Sequence, residues 1–524
     1  MVFNLEGGFA IISRSSDSSS GDNMRTLRWI GTLLIAIVSL IGSVSILAQP
    51  VDLTQLTVTD AAKLIKEGRI TSEELTRALL AKIASNPELN VFVTVNESGA
   101  INAARDADEA RRRDPAHFGA LQGVPLVIKD NIHVAGLPNT AGTPGLRAFV
   151  PDANAPVAQA LLDAGAIVLG KTNMHELAFG ITSNNAAFGA VRNPYDKTRF
   201  PGGSSGGNGS AIAARLAPGG IGTDTGGSVR IPAALSGIVA LRPTIHSYSQ
   251  TGVTPISHTR DTIGPMARTV SDLILLDRVI TRDWSNVETI APRRIRLGVV
   301  PEMFQNVDVE TLALVNQALD KLRHAGVQIV PLQVSGFLDL DNQSGFPIAL
   351  YEATRDISSY LSAYNTGLTL SQLAAQIASP DVKFVFDTFV VPGAPNAIPQ
   401  SVYDNAVNVV RPQLQKLYAD TFENGDLNAI VFPTTPLPAS PIIGSDSTVI
   451  LNGVSVPTFQ TYIRYTDPGS VAGVPGISLP IALTSSGLPI GVEIDGPSGS
   501  DRHLLAVALA LEKILGHLPA PPGF

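Results

Sequence analysis

Residues 124–129 read Val-Pro-Leu-Val-Ile-Lys: five apolar positions in succession, closed by a charge. An unbroken apolar run this short suits a strand buried on both faces, where no alternation with water-facing residues is needed. Downstream, residues 157–164 carry helical spacing and stop at Gly165, and residues 166–169, Ala-Ile-Val-Leu, form a second short apolar run. Strand, helix and strand in that order predict an α/β sheet.

The pattern extends in both directions. Towards the N-terminus, Thr59 reads as the N-cap of a helix carrying Ala61, Leu64 and Ile65. Thr71 or Ser72 opens a second helix through Leu75, Leu79, Leu80 and Ile83, ended by Asn86-Pro87. Residues 103–113 read as a polar, alanine-rich surface helix. Towards the C-terminus, residues 297–334 again alternate strand and helix, and residues 335–426 read as mostly helical and rich in aromatics. The strand 429–433, the runs 472–480 and 488–494 and a closing helix over 501–515 complete the body. With no internal repeat and no clear linker, one large domain is expected.

Bulk composition removes several function classes. Hydrophobic residues make up 44% and charged residues 16%, which suits a compact body and not a disordered chain. The net charge is −8 with no long run of Lys and Arg, so nucleic acid is a poor partner. The chain has no cysteine, which excludes disulfides, thiolate zinc sites and a cysteine nucleophile. At the N-terminus, residues 1–23 are polar, and a start at Met24 would leave them untranslated. Arg25 and Arg28 then precede an apolar run over 29–48. Residues 24–48 are therefore expected to be a signal peptide ending at Ala48, or a membrane anchor over 29–48. Both readings place the body outside the cytoplasmic membrane, in the periplasm or medium or anchored to the membrane.

The densest punctuation is Phe200-Pro-Gly-Gly-Ser-Ser-Gly-Gly-Asn-Gly, followed by Gly222-Thr-Asp-Thr-Gly-Gly-Ser-Val-Arg. Such loops expose backbone N–H groups that can face a developing oxyanion, and they present serine hydroxyls. No lysine follows, so a phosphate-binding P-loop is excluded, and a dinucleotide fingerprint fits poorly. Gly202 to Gly206 formally matches Gly-x-Ser-x-Gly, but no apolar strand leads into it as a nucleophile elbow requires. His133 and His175 precede both serines, the wrong order for an α/β-hydrolase. Lys129 is the better base. An ordinary lysine is neutral in roughly one molecule in 2,500 near pH 7, but burial lowers its pKa. Taken alone, a strand-end lysine is more often an ordinary solvent contact, and the glycine loops alone are as consistent with a flexible loop as with a catalytic one.

Three ordered blocks decide between these readings: VIKDN with Lys129, PGGSSGG at 201–207 and GTDTGGSVRIPA at 222–233. Together they resemble the amidase signature family, and GLPIGVEIDGP at 487–497 resembles its C-terminal strand. The resemblance implies one large α/β domain over 56–520, with a central mixed β-sheet covered by helices on both faces. It implies a triad of Lys129, Ser204 (after a cis peptide bond) and the nucleophile Ser228. It also implies an oxyanion hole from the N–H groups of Thr225, Gly226, Gly227 and Ser228, with support from Ser205 and a buried Asp224–Arg230 pair. No cofactor and no metal are implied. The partner is a small-molecule amide, membrane contact is confined to an uncleaved N-terminal segment, and a homodimer is left open.

The stretches 170–195 and 256–277 resemble the branch of indoleacetamide and mandelamide hydrolases, whose substrates are primary amides of aryl-substituted acetic acids. His175 fits that branch and is expected to be structural or pocket-lining. Phe337, Phe346, Phe384, Phe386, Tyr403 and Tyr462 are available for an acyl pocket, although core packing is the expected role of most. The export segment weakens an indoleacetamide assignment. Fatty amides, nylon oligomers or amino acid amides are alternative substrates on the same core. The glutamine-hydrolysing component of a tRNA-dependent amidotransferase and a non-catalytic binding protein are the remaining alternatives.

Overall fold

Short apolar runs become strands wherever the chain can pair them on both sides. The structure, a computed structural model, describes residues 52–524, so the expected leader over 1–23 and export segment over 24–48 lie outside the described residues. In chain order the strands are β1 (Phe92–Val95), β2 (Pro125–Lys129), β3 (Ile167–Thr172), β4 (Asn184–Asn185), β5 (Gly189–Ala190), β6 (Gly219–Asp224), β7 (Val239–Arg242) and β8 (Thr262–Ala267). They continue with β9 (Arg296–Val299), β10 (Gln328–Pro331), β11 (Ala429–Pro433), β12 (Thr448–Leu451), β13 (Val454–Pro457), β14 (Gly476–Leu483) and β15 (Pro489–Asp495). Eleven of them form one sheet in the order β1-β3-β2-β6-β8-β7-β14-β15-β11-β9-β10, while β4–β5 and β12–β13 are separate pairs. The sheet is mixed: β3–β2–β6 and β11–β9–β10 run parallel, and the centre from β6 through β8, β7, β14 and β15 to β11 is antiparallel.

Side-chain alternation along the central strands divides two helical layers. Val239, Leu241, Val492 and Ile494 pack with the helices Val270–Thr281, Val309–His324 and Asp501–Leu515 on one face. On the other face Ala240 and Met266 meet the helices Gly206–Ala213 and Arg230–Ser236. Gly491 faces Ala234 on that side, and Glu493 lies there against Arg230. Residues 337–425 form the expected mostly helical stretch, beginning with the long helix Phe337–Ala363.

Two local expectations shift. The first helix is capped by Thr57, whose hydroxyl accepts from Asp60 N at 3.1 Å, and not by Thr59. Thr59 instead gives its N–H and hydroxyl to Asp272 Oδ1, at 2.8 and 2.9 Å. The surface helix starts at Glu97, six residues before the expected boundary, and its Asp108 accepts from Ser72 N at 2.8 Å across the helix pair.

Candidate active site

The C-terminal ends of parallel strands β2 and β6 define the site. Lys129 is the last residue of β2, paired in register with Thr172 of β3, and is fully buried. Its Nζ donates to Ser204 Oγ at 2.7 Å and to Thr223 Oγ1 at 2.8 Å, with Thr223 O at 3.5 Å. Asn131 Nδ2 donates to the same threonine hydroxyl at 3.1 Å. Burial pushes the Lys129 amine down to about 7, although Asp224 and Asp261 favour its charged form at a distance.

The serine loop is fastened from three sides. The Gly203–Ser204 peptide bond is cis. Ser204 O accepts from His175 N at 3.1 Å and from Ser183 Oγ at 3.3 Å. Ser205 donates its N–H to Ser228 O at 3.1 Å and its hydroxyl to Thr223 O at 3.2 Å, so it ties the two glycine-rich blocks together. Gly222 has to be glycine: a Cβ there would lie 2.7 Å from Ser205 Oγ. The helix after the serines runs Gly206–Ala213. Three glycines disfavour a helix intrinsically, but a Cβ on Gly206 or Gly207 would collide with Ser183 or Asn173, and Gly209 lies tight against Pro232.

Ser228 follows Gly227, whose φ is +140°, a conformation that glycine adopts readily. It is 8% exposed whereas Ser204 and Lys129 are fully buried, so Ser228 is the residue of the three that keeps some contact with solvent. Among the described residues, Ser228 Oγ makes no internal hydrogen bond. The N–H groups of Thr225, Gly226 and Ser228 also lack an internal acceptor there. The Gly227 N–H differs from expectation: it donates to Asp224 Oδ1 at 2.8 Å, and its single proton is therefore committed.

Asp224 is the hub of a larger ionic core than the expected pair. Its carboxylate receives Arg230 Nη2 at 3.0 Å and Nε at 3.1 Å, and Arg242 Nη1 at 2.9 Å. Burial alone would raise its pKa, but the two guanidiniums outweigh that and hold it well below the carboxylate range. Arg230 also binds Glu493 and Ser470 Oγ. Arg242 and Glu493 escaped the sequence reading because they arrive from β7 and β15. Ser183 left no sequence signal. Thr223 could have been found, since it sits inside the quoted block, two residues before Thr225.

His175 has its ring buried, with Thr182 Oγ1 at 3.3 Å and Asp381 Oδ2 at 3.0 Å, and reaches the serine loop through its backbone. Of the six aromatics, Phe337, Phe386 and Tyr462 are core residues packed on Tyr418, Phe179 and Phe200. Phe384 is exposed, and Tyr403 stacks on Tyr351 and donates to Glu352. Phe346 is partly exposed. It pairs with Phe459 at 5.6 Å. One turn along from Phe459, Ile463 packs against Gly226, where a Cβ would lie 2.6 Å from its Cδ1.

This fold and the glycine-rich loops around a buried lysine point to a hydrolase. The amidase family model matches residues 74–505. The mandelamide hydrolase of Pseudomonas putida is 44% identical over 490 residues, covering 90% of this chain and 94% of that one. The indoleacetamide hydrolase of Agrobacterium vitis is 40% identical over 449 residues, covering 86% and 94%. A solved amidase crystal structure superposes with a TM-score of 0.78 at 30% identity, covering 88% of this chain and all of that one. The chain belongs to the amidase signature family, whose hydrolases act on amides.

Proposed function

We propose that this enzyme hydrolyses the primary amide of an aryl-substituted acetic acid, of the mandelamide or indoleacetamide kind, to the acid and ammonia. The observation that carries the mechanism is Lys129: a fully buried amine 2.7 Å from Ser204 Oγ, with hydroxyl and carbonyl oxygens as its hydrogen-bond partners. A neutral amine has one lone pair, which accepts the Ser204 proton. Ser204 Oγ in turn takes the proton of Ser228, and Ser228 Oγ attacks the amide carbon. The Ser205–Ser228 backbone bond supports this relay by holding the two serine loops side by side. The N–H groups of Thr225, Gly226 and Ser228 receive the oxyanion, while the Gly227 N–H, bound to Asp224, fixes the loop. The proton returns through Ser204 to the departing ammonia, and water then hydrolyses the acyl-enzyme.

The aryl acyl group is supported by the named activities of the relatives at 44% and 40% identity, and by the apolar Ile463 beside Gly226. The test is ammonia release from mandelamide, indoleacetamide, long-chain amides, glutamine and amino acid amides. The aryl acetamides should give the highest kcat/KM; a higher value for glutamine or a long-chain amide overturns this substrate class. Export belongs to the same proposal, on the strength of Arg25, Arg28 and the apolar residues 29–48. Cell fractionation tests it, and a cytoplasmic enzyme of full length refutes it.

A further inference from the structure

Beneath the glycine loop lies a second ionic group that the reaction above does not use. Asp341, on the helix Phe337–Ala363, and Asp467, at the start of the helix Asp467–Ala472, are both buried. Their carboxyls converge over Gly345, where a Cβ would lie 2.8 Å from Asp467 Oδ2 and 2.9 Å from Asp341 Oδ1. Arg260 is the cation bound to this pair: it binds Asp467 Oδ1 and gives Nη1 to Gly345 O at 2.6 Å. Asp341 Oδ1 is buried with no hydrogen-bond partner. The pair also touches the donor loop. A Cβ on Gly226 would collide with Asp467 Oδ1, and the neighbouring Thr466 donates its hydroxyl to Gly226 O at 2.6 Å.

We propose that Asp341 and Asp467 share one proton, and that in this state they are positioning residues for the Thr225–Ser228 oxyanion loop. Two buried carboxylates beside one guanidinium cannot both stay ionised in contact. A shared proton supplies the donor that the orphaned Asp341 oxygen lacks and leaves one net negative charge for Arg260. Burial, then the neighbouring Asp467, lift the Asp341 carboxyl well above the carboxylate range, and burial lifts Asp467 against the pull of Arg260. Other charged groups facing the cluster have partners of their own: Arg242 binds Asp224 and Arg260 O, and Arg411 binds Val471 O and Thr259 O. Arg230 from the catalytic loop binds Asp224 and Glu493, and Tyr418 from the helix 411–425 donates to Asp495 of β15 at 3.2 Å. When the shared proton leaves for solvent at alkaline pH, the two anions separate and Asp467 no longer backs Gly226.

This inference rests on the oxyanion role proposed above. The test is the pH profile of kcat and KM for mandelamide with the full chain, its Asp341→Asn variant and its Asp467→Asn variant, each checked for fold by circular dichroism. The unaltered enzyme should lose kcat on its alkaline limb with KM little changed. Asp341→Asn carries a permanent donor, so its kcat ratio between about pH 9.5 and about pH 7.5 should exceed that of the unaltered enzyme severalfold. Asp467→Asn removes the partner of Arg260, and kcat should fall about 10- to 100-fold with KM within about twofold. An unaltered enzyme without an alkaline fall in kcat overturns the proposal without any variant, as does a limb that persists unchanged in Asp341→Asn. If Ser228→Ala abolishes activity while those limbs refuse to move, the positioning role fails and the catalytic reading stands. Activity in Ser228→Ala sinks the reading itself.

Discussion

Lys129 and Lys171 stand on neighbouring parallel strands, one register step apart, and are equally buried. Lys171 pairs across with Ile128, and Lys129 with Thr172, so the two side chains leave on opposite faces of the sheet. On its face Lys171 meets Asp130 Oδ1 at 3.5 Å, Asn139 Oδ1 at 3.0 Å and Pro138 O at 3.2 Å. On the other face Lys129 meets hydroxyls, and the nearby carboxylate of Asp224 is committed to two arginines. Burial lowers both amines, but only Lys171 has a carboxylate at ion-pairing distance to support its charge. Equal burial therefore yields a structural cation in one region and a candidate base in the other; the partner supplied by the fold makes the difference.

The comparison can be tested in five ways. The largest effect is expected from Lys129→Met, which removes the base: kcat/KM for mandelamide at neutral pH should fall about 10⁴-fold with the melting temperature kept or raised. Substantial activity in this variant would end the assignment. Lys171→Met should act on stability instead. It leaves Asp130 buried without its cation and should cost about 3–5 kcal/mol in urea unfolding. The folded fraction should keep its kcat, and Asp130→Asn in the same chain should restore part of the loss.

A sharper test converts one region into the other. Thr223→Asp gives Lys129 the carboxylate it lacks, so the amine should stay protonated at neutral pH. Activity there should drop about 10- to 100-fold and recover as pH rises. In the unaltered enzyme the proposed base, Lys129, would work only when neutral. The rising limb of kcat/KM should therefore follow an ionisation near 7, climbing about tenfold per pH unit below it. A limb near the ordinary lysine value would mean Lys129 is not desolvated in solution. The smallest effect belongs to the exposed Lys383–Asp387 pair at 2.6 Å, where Asp387→Asn should change stability by about 0.5 kcal/mol or less and leave kinetics alone.

The sequence made much of this legible because local chemistry spoke plainly. The apolar run 124–128 announced a strand buried on both faces, and the helix 501–515 appears with the boundaries its periodicity indicated. The two glycine blocks pointed to loops that present N–H groups, and the structure joins Lys129 of β2 to Ser204 and Ser205 to Ser228. Other parts were silent. The helix at 206–213 contradicts the intrinsic preference of glycine, and tertiary contact with Ser183, Asn173 and Pro232 explains it. The cap at Thr57 was missed because Thr59 had a distant partner, Asp272, that no local rule reveals.

The residues themselves determined the α/β alternation, the absence of cysteine chemistry and the order of the lysine and serine blocks, since these depend on composition and spacing along one chain. Only the tertiary structure decided which serine keeps some contact with solvent, which N–H is withdrawn to Asp224, and which of two buried lysines lacks a carboxylate at ion-pairing distance. Those outcomes depend on partners arriving from β3, β7, β15 and the helix at 337–363, hundreds of residues away in some cases. Desolvation and charge pairing act through space, and a lysine's chemistry is set by what the fold places beside it.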